Sequence, residues 1–149
     1  MRICLYQPDI AGNVGNIIRT AECLGVNFVD IILPTGFIFD DKQFKRASLD
    51  YGDSVEIIKY KTFTEYCDKF NDRKILLTTK TTDNYYDFKF KEDDILVFGS
   101  ESRGVSDEVR FLVDEKLTIP IRNNCRSLNL AISVAIITSE AVRQLQTVL

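Results

Sequence analysis

A chain of 149 residues, 45% hydrophobic and 28% charged, with seven Gly and three Pro, has the size and composition of one compact domain and nothing fibrous or low-complexity. The net charge of −3 and a pI near 5.0 exclude a general nucleic-acid coating protein, so any nucleic-acid contact has to be local. The sequence contains no His, the side chain that most often moves protons near neutral pH, and its four cysteines (Cys4, Cys23, Cys67, Cys125) are scattered without a CxxC pair, so no metal site is expected. The N-terminal run MRICLYQPDI is broken by Gln7, Pro8 and Asp9 and is not a secretory signal, which points to a cytoplasmic location.

In chain order, Ile3–Tyr6 reads as a strand. The turn residues of QPDIAGN follow, and then Val14, Ile17, Ile18, Ala21 and Leu24 at helical spacing, with Gly25 as the stop. Phe28–Leu33 is the next strand, and Asp40–Ser48, acidic first and basic later, has the polarity of a helix. Val55–Tyr60 reads as a strand, Thr62–Phe70 as a helix capped by Thr62, and Lys74–Thr79 as a buried strand. Phe88–Lys91 alternates as an edge strand or a loop would, Tyr85 and Tyr86 either pack or stack on bases, and Glu92–Asp94 reads as a solvated turn. Ile95–Gly99 is the most apolar strand, Ser106 opens a helix with Asp107 and Glu108 in its first turn, and Leu117–Ile121 reads as a last strand. Leu128–Leu149 is a largely apolar helix, interrupted by Asn129, Glu140 and Arg143 and too polar to span a membrane, so burial against the domain and a second subunit is expected. Strands and helices alternating throughout predict a single α/β domain over residues 1–149, with a parallel sheet covered by helices on both faces.

Ligands of open parallel sheets bind beyond the carboxyl ends of the strands, and three polar loops fall there: Asp9–Arg19, Gly99–Gly104 and Arg122–Asn129. As plain turns and caps they would use Asn13 as an N-cap, Gly104 as a turn glycine and Ser127 as the cap of the last helix. The stretch GNVGNIIRT has a G-x-x-G spacing but neither the third glycine of a dinucleotide fingerprint nor the Gly-Lys-Ser/Thr of a P-loop. What remains is a helix N-terminus with Asn13, Asn16 and, one turn in, Arg19, suited to a phosphate or an oriented hydroxyl.

Together and in order, the loops resemble the three motifs of the SPOUT superfamily of methyltransferases. NVGNIIRTAECLG matches its N-x-G-N-x-x-R motif, ILVFGSESRGVS its F-G-x-E-x-x-G motif, and IPIRNNCRSLNLAISVA its I-P…S-L-N…A motif. The short length and LPTGFIFDDKQFKRASLDY are most similar to the minimal TrmL-type tRNA 2′-O-methyltransferases, and the resemblance covers nearly the whole chain.

The resemblance implies a SPOUT fold with a C-terminal deep trefoil knot. It also implies an enzyme that uses S-adenosylmethionine to methylate the ribose 2′-hydroxyl at the wobble nucleotide, position 34, cytidine or modified uridine, of leucine tRNAs. The implied partners are the tRNA anticodon stem-loop and a second copy of the chain, with no metal and no membrane. Carried over, the cofactor residues are Leu77, Thr78, Thr79, Gly99, Ser100, Glu101, Ile119, Ile121, Ser127 and Leu128, and the catalytic residues are Arg19, Glu101, Ser127 and Asn129. RNA contacts fall to Asn13, Asn16, Arg19, Lys42, Lys45, Arg46, Arg103, Arg122 and Arg126; Lys42 and Lys45 read equally as a solvated face.

In such a site an apolar strand end followed by Gly99 supplies apolar walls and backbone donors for adenine. Arg19 is the family's residue for activating the hydroxyl; a guanidinium stays protonated, so orienting the ribose and neutralising a phosphate suit it better than a base role. Glu101 steadies the substrate side or pairs with Arg19 or Arg103, and Asn129 holds the ribose. Two departures stand out: Ala131-Ile132-Ser133 replaces the Ser-Asn-Ala common after SLNL, and Ser139 stands where some members carry Tyr. The competing readings are a related enzyme acting on another tRNA position or on ribosomal RNA, and a catalytically silent RNA-binding homologue.

Overall fold

The computed structural model describes residues 1–38 and 55–145. The expected helix at Asp40–Ser48, with Lys42, Lys45 and Arg46, lies outside them, as do residues 146–149 of the expected last helix. Six strands pair in parallel: β1 (Arg2–Tyr6), β2 (Phe28–Ile32), β3 (Glu56–Tyr60), β4 (Lys74–Leu77), β5 (Ile95–Phe98) and β6 (Glu115–Leu117), in the spatial order β3-β2-β1-β5-β4-β6. Among the described residues four α-helices cover them: α1 (Ala11–Cys23), α2 (Phe63–Lys69), α3 (Asp107–Leu112) and α4 (Leu130–Leu145).

Side chains that alternate along a strand fill two cores. Ile3, Leu5, Val29, Ile31, Leu96 and Phe98 face α1 and α4, where Val14, Ile17, Ala21, Val134, Ile137 and Ala141 meet them. Cys4, Ile32, Ile95 and Val97 point to the other face, against Phe63 and Tyr66 of α2 and Val109 of α3. Burial on both faces is why these strands read as continuous apolar runs, and it places helices on both sides of the sheet as the alternation predicts.

The caps follow local chemistry. Thr62 accepts from the Glu65 N–H and Ser106 from the Val109 N–H, so both expected caps are present. Helix α1 ends at Gly25 (φ +71°), whose N–H reaches Glu22 while that of Val26 reaches Ala21.

One polar residue interrupts FVDII. Asp30 is fully buried, and its carboxylate takes two 2.7 Å bonds from the Arg2 guanidinium and a third, also 2.7 Å, from the Tyr66 hydroxyl. Burial above all holds the Tyr66 phenol well above its ordinary pKa, so it remains a donor. The Arg2 guanidinium stacks over Phe28 and Phe70, 4.1 and 4.6 Å from their ring centroids. Asp30→Ala leaves this cation without its counter-charge; we expect about 3 kcal/mol of lost stability in urea unfolding, with an unchanged denaturant slope.

Three expectations change. The last strand is Glu115–Leu117 and not Leu117–Ile121, because β4 ends at Leu77 opposite Leu117. Beyond it Thr118 donates to Asp83 and accepts from Tyr85, which draws the chain off the sheet before Pro120, a residue with no N–H to offer a ladder. Glu92–Asp94 is not a fully solvated turn: Asp94 is buried in a bidentate pair with Arg73, both contacts 2.8 Å. Helix α4 begins at Leu130 and not at Leu128; within the single chain it is buried along one side, with Ile132, Ser139 and Arg143 exposed on the other. Phe88–Lys91 is a loop in which Phe90 enters the core; Tyr85 packs against that core and Tyr86 is exposed.

Candidate active site

Strand β1 lies between β2 and β5, so the connections leaving β1 and β5 run to opposite sides and open a crevice at their carboxyl ends. The loops after these two strands meet there. Asp9 accepts from both the N–H and the hydroxyl of Ser102, at 2.9 and 2.6 Å. The Ser102 hydroxyl and then its N–H hold the Asp9 carboxyl below its usual pKa, with partial desolvation opposing them. That stabilisation is present near neutrality and is lost as pH falls through the lowered value.

The loop after β5 doubles back on itself. Ser100 and Gly104 exchange backbone hydrogen bonds of 3.0 and 2.9 Å, and Gly104 takes φ +69°. A Cβ on Gly99 would stand 2.6 Å from the Gly104 carbonyl carbon and 2.7 Å from its Cα. Gly99→Ala therefore forces the loop open, and we expect a loss of about 2 kcal/mol in stability together with weakened ligand binding, read by thermal unfolding and calorimetry.

Glu101 ties the loops together. One carboxylate oxygen accepts from the Asp9 N–H at 2.7 Å, and the other accepts from the Ile10 N–H at 3.2 Å and the Asn13 side-chain amide at 2.8 Å. Because the Asn13 NH2 is directed to a carboxylate, its oxygen faces outward and accepts from the Asn129 amide at 3.0 Å. The Asn129 oxygen in turn accepts the N–H groups of Ala131 and Ile132, at 2.8 and 3.3 Å. Donor and acceptor senses are thus fixed along the whole chain, from a carboxylate at one end to the start of α4 at the other.

This network corrects three expectations. Helix α1 begins at Ala11 behind Ile10, which offers no side-chain cap, so Asn13 is a bridge and not an N-cap. The anion at the entrance of α1 is the protein's own Glu101, which already takes N–H groups a phosphate would need and would repel it by like charge. Arg19, the ninth residue of α1, lies more than two turns in. The cap of α4 is Asn129 and not Ser127, since its oxygen receives the first free N–H groups.

Beside the network opens a cleft of about 530 Å³. Leu77, Thr78, Thr79, Gly99, Ser100, Glu101, Ile119, Ile121, Ser127, Leu128 and Asn129 all line it, as do Asn13, Arg103 and Arg126. Arg122 lines an adjoining pocket that shares Arg126, Thr79 and Ile121 with the cleft. Arg19 and Asn16 are exposed on α1 and are not part of the lining; Lys42 and Arg46 lie outside the described residues. Ser133, one of the departing positions, lines the cleft, whereas Ala131 is buried in the core and Ser139 is exposed. Sequence reasoning missed Ile10, Val105 and Arg110 in the lining. Position after a strand pointed to the loops, but nothing in DEVRFL marks Arg110 as facing a cleft.

Comparison with known proteins agrees with this arrangement. Residues 1–139 match the SpoU rRNA Methylase family. The chain is 42% identical to the tRNA (cytidine(34)-2′-O)-methyltransferase of Beijerinckia indica, over 95% of this chain and 90% of the relative. It is 35% identical to the protein of the same name from Escherichia coli K12, over 97% and 94%. A solved structure concerning 2-OH methylation of C/U34 on tRNA superposes with a TM-score of 0.88 at 37% identity, covering 97% of this chain and 95% of that one. The SpoU methyltransferase AviRb from Streptomyces viridochromogenes, solved with the cofactor AdoMet, superposes with a TM-score of 0.87 at 26% identity, covering 99% of this chain and 58% of that one. With its motif loops gathered at one crevice and its length matched almost throughout, the chain belongs to the SpoU rRNA methylase family.

Proposed function

We propose that this chain is an S-adenosylmethionine-dependent tRNA 2′-O-methyltransferase that modifies the ribose of nucleotide 34, cytidine or modified uridine, in leucine tRNAs. The observation that carries the reading is the convergence of the loops after β1 and β5 and of the loop before α4 on one cleft, locked by Glu101, Asn13 and Asn129. The cleft suits the cofactor. Its volume lies within the range of small-molecule sites, Leu77, Ile119, Ile121 and Leu128 give apolar walls for adenine, and the loop at Gly99 brings backbone groups in without a side chain. The curated relatives' shared name favours tRNA over ribosomal RNA as the substrate. We also propose the cytoplasm as its location, and a trefoil knot in the segment that carries Ile119–Asn129.

Bound there, S-adenosylmethionine supplies an electrophilic methyl group on a sulfonium. The chain's own work is positional. Glu101 fixes the entrance of α1 to the loop after β5; Asn129 spends one N–H on Asn13 and its oxygen on α4, leaving its second N–H for the ribose. The Arg19 guanidinium orients the ribose and offsets the adjacent phosphate charge, which favours alkoxide character on the attacking oxygen as its proton leaves to solvent. RNA contacts come from Arg103, Arg122 and Arg126 around the cleft mouth and from Lys42 and Arg46.

The active unit is a homodimer. Arg19 lies outside its own chain's cleft lining, and Ile10, Leu128 and Ile132 are 51%, 38% and 52% exposed near the same mouth, an apolar surface for a second copy to cover. Sedimentation at micromolar concentration should give a dimer; a monomer would overturn this part of the reading. The activity itself is tested with two leucine tRNAs that differ only at nucleotide 34, one with ribose and one with 2′-deoxyribose. Methyl transfer is expected to the first alone, and equal transfer to both would place the chemistry elsewhere.

A further inference from the structure

Among the described residues, the other partly buried arginines are held by carboxylates. Arg2 pairs with Asp30 at 2.7 Å and Arg73 with Asp94 at 2.8 Å, with side-chain exposures of 15% and 23%. Arg110 is comparably buried, at 26%, yet its contacts are long. One terminal nitrogen lies 3.5 Å from the Val105 carbonyl, the other lies 3.7 Å from Asp107, whose side chain is 89% exposed, and Nε is buried with no partner among the described residues. A guanidinium with five donors and no close acceptor is costly at this depth, and this one lines the cleft.

Its place in the lining is also distinctive. Asn13 and Asn129 stand where α1 and α4 begin, over one face of the sheet, whereas Val105 and Arg110 belong with α3 over the other. Between them run the apolar strand ends and Gly99. Arg103 and Arg126 are exposed and solvated at the mouth, open to RNA; Arg110 is the lining arginine set into the wall.

We propose that Arg110 is the anion-binding residue of the cleft and that it takes the carboxylate of the amino-acid portion of S-adenosylmethionine. The planar fork of the guanidinium matches a carboxylate in a bidentate pair, which a half-buried wall strengthens by excluding water. The proposal rests on the cofactor reading above. It adds a binding role that leaves the methyl-transfer chemistry to other residues.

The test compares S-adenosylhomocysteine with 5′-deoxy-5′-methylthioadenosine, which keeps adenosine and sulfur but lacks the amino-acid carboxylate. By calorimetry, Arg110→Ala should weaken S-adenosylhomocysteine binding roughly 30-fold and leave methylthioadenosine within about twofold. Arg110→Lys should recover part of the loss, since it keeps the charge but not the fork. Thermal unfolding should be almost unchanged, because the contacts removed are long. Equal weakening of both ligands, no weakening of either, or a raised KM for tRNA with unchanged S-adenosylhomocysteine binding would each overturn the proposal. Wild-type protein that binds neither ligand would instead remove the cofactor reading; wild-type protein that binds both equally leaves that reading standing and removes the role of Arg110.

Discussion

Arg19→Ala is expected to lower methyl transfer to tRNA by about 100- to 1,000-fold while leaving the cofactor dissociation constant within about twofold. The separation of effects comes from position. Arg19 is exposed on α1 and does not line the cleft of its own chain, so deleting it opens no hole in the cofactor walls. Its loss removes a permanent positive charge from the place where a 2′-oxygen gains negative charge and where the neighbouring phosphate has to be neutralised. Arg19→Lys should fall between the two, retaining the charge but not the fork. A variant that loses turnover and cofactor affinity together would put Arg19 in the cofactor site and contradict this division of labour. Single-turnover rates and equilibrium binding read the two quantities independently.

Glu101→Gln is expected to cost about 2 kcal/mol of stability and to weaken cofactor binding and turnover together, the opposite pattern. The substitution preserves shape, so its effect isolates hydrogen-bond sense. Both carboxylate oxygens face donors: the Asp9 N–H on one side, and the Ile10 N–H and Asn13 amide on the other. A glutamine must turn its NH2 toward one of these and leave a donor facing a donor. If Asn13 flips in response, its NH2 meets the Asn129 NH2, and Asn129 can satisfy it only by withdrawing its oxygen from the first N–H groups of α4. One atom therefore disturbs all three loops. Unchanged unfolding and binding in this variant would show that the network is incidental.

Much of the fold was legible because the signals were local. The runs FVDII, KILL and ILVF are apolar apart from Asp30 and Lys74 since their sheet is covered on both faces, and Thr62, Ser106 and Gly25 mark helix ends within a few residues of the groups they satisfy. What was not legible depends on partners far along the chain. Asn13 is spaced like a cap, but its bonds go to Glu101 and Asn129, 88 and 116 residues away. Asp94 resembles its solvated neighbours until Arg73 is placed beside it, and the limits of β6 are set by where β4 stops. The site loops were found by order and motif, and the structure adds what holds them: the partly buried carboxylate of Glu101 does at α1 what an incoming phosphate was expected to do.

The central claim is methyl transfer to the ribose at nucleotide 34, and one measurement addresses it most directly. The protein is incubated with methyl-labelled S-adenosylmethionine and total tRNA, and the labelled RNA is digested and mapped by mass spectrometry. The expected result is a single 2′-O-methylated nucleotide at position 34, confined to leucine tRNAs. Label in no RNA, or label on a base or at another position, would contradict it.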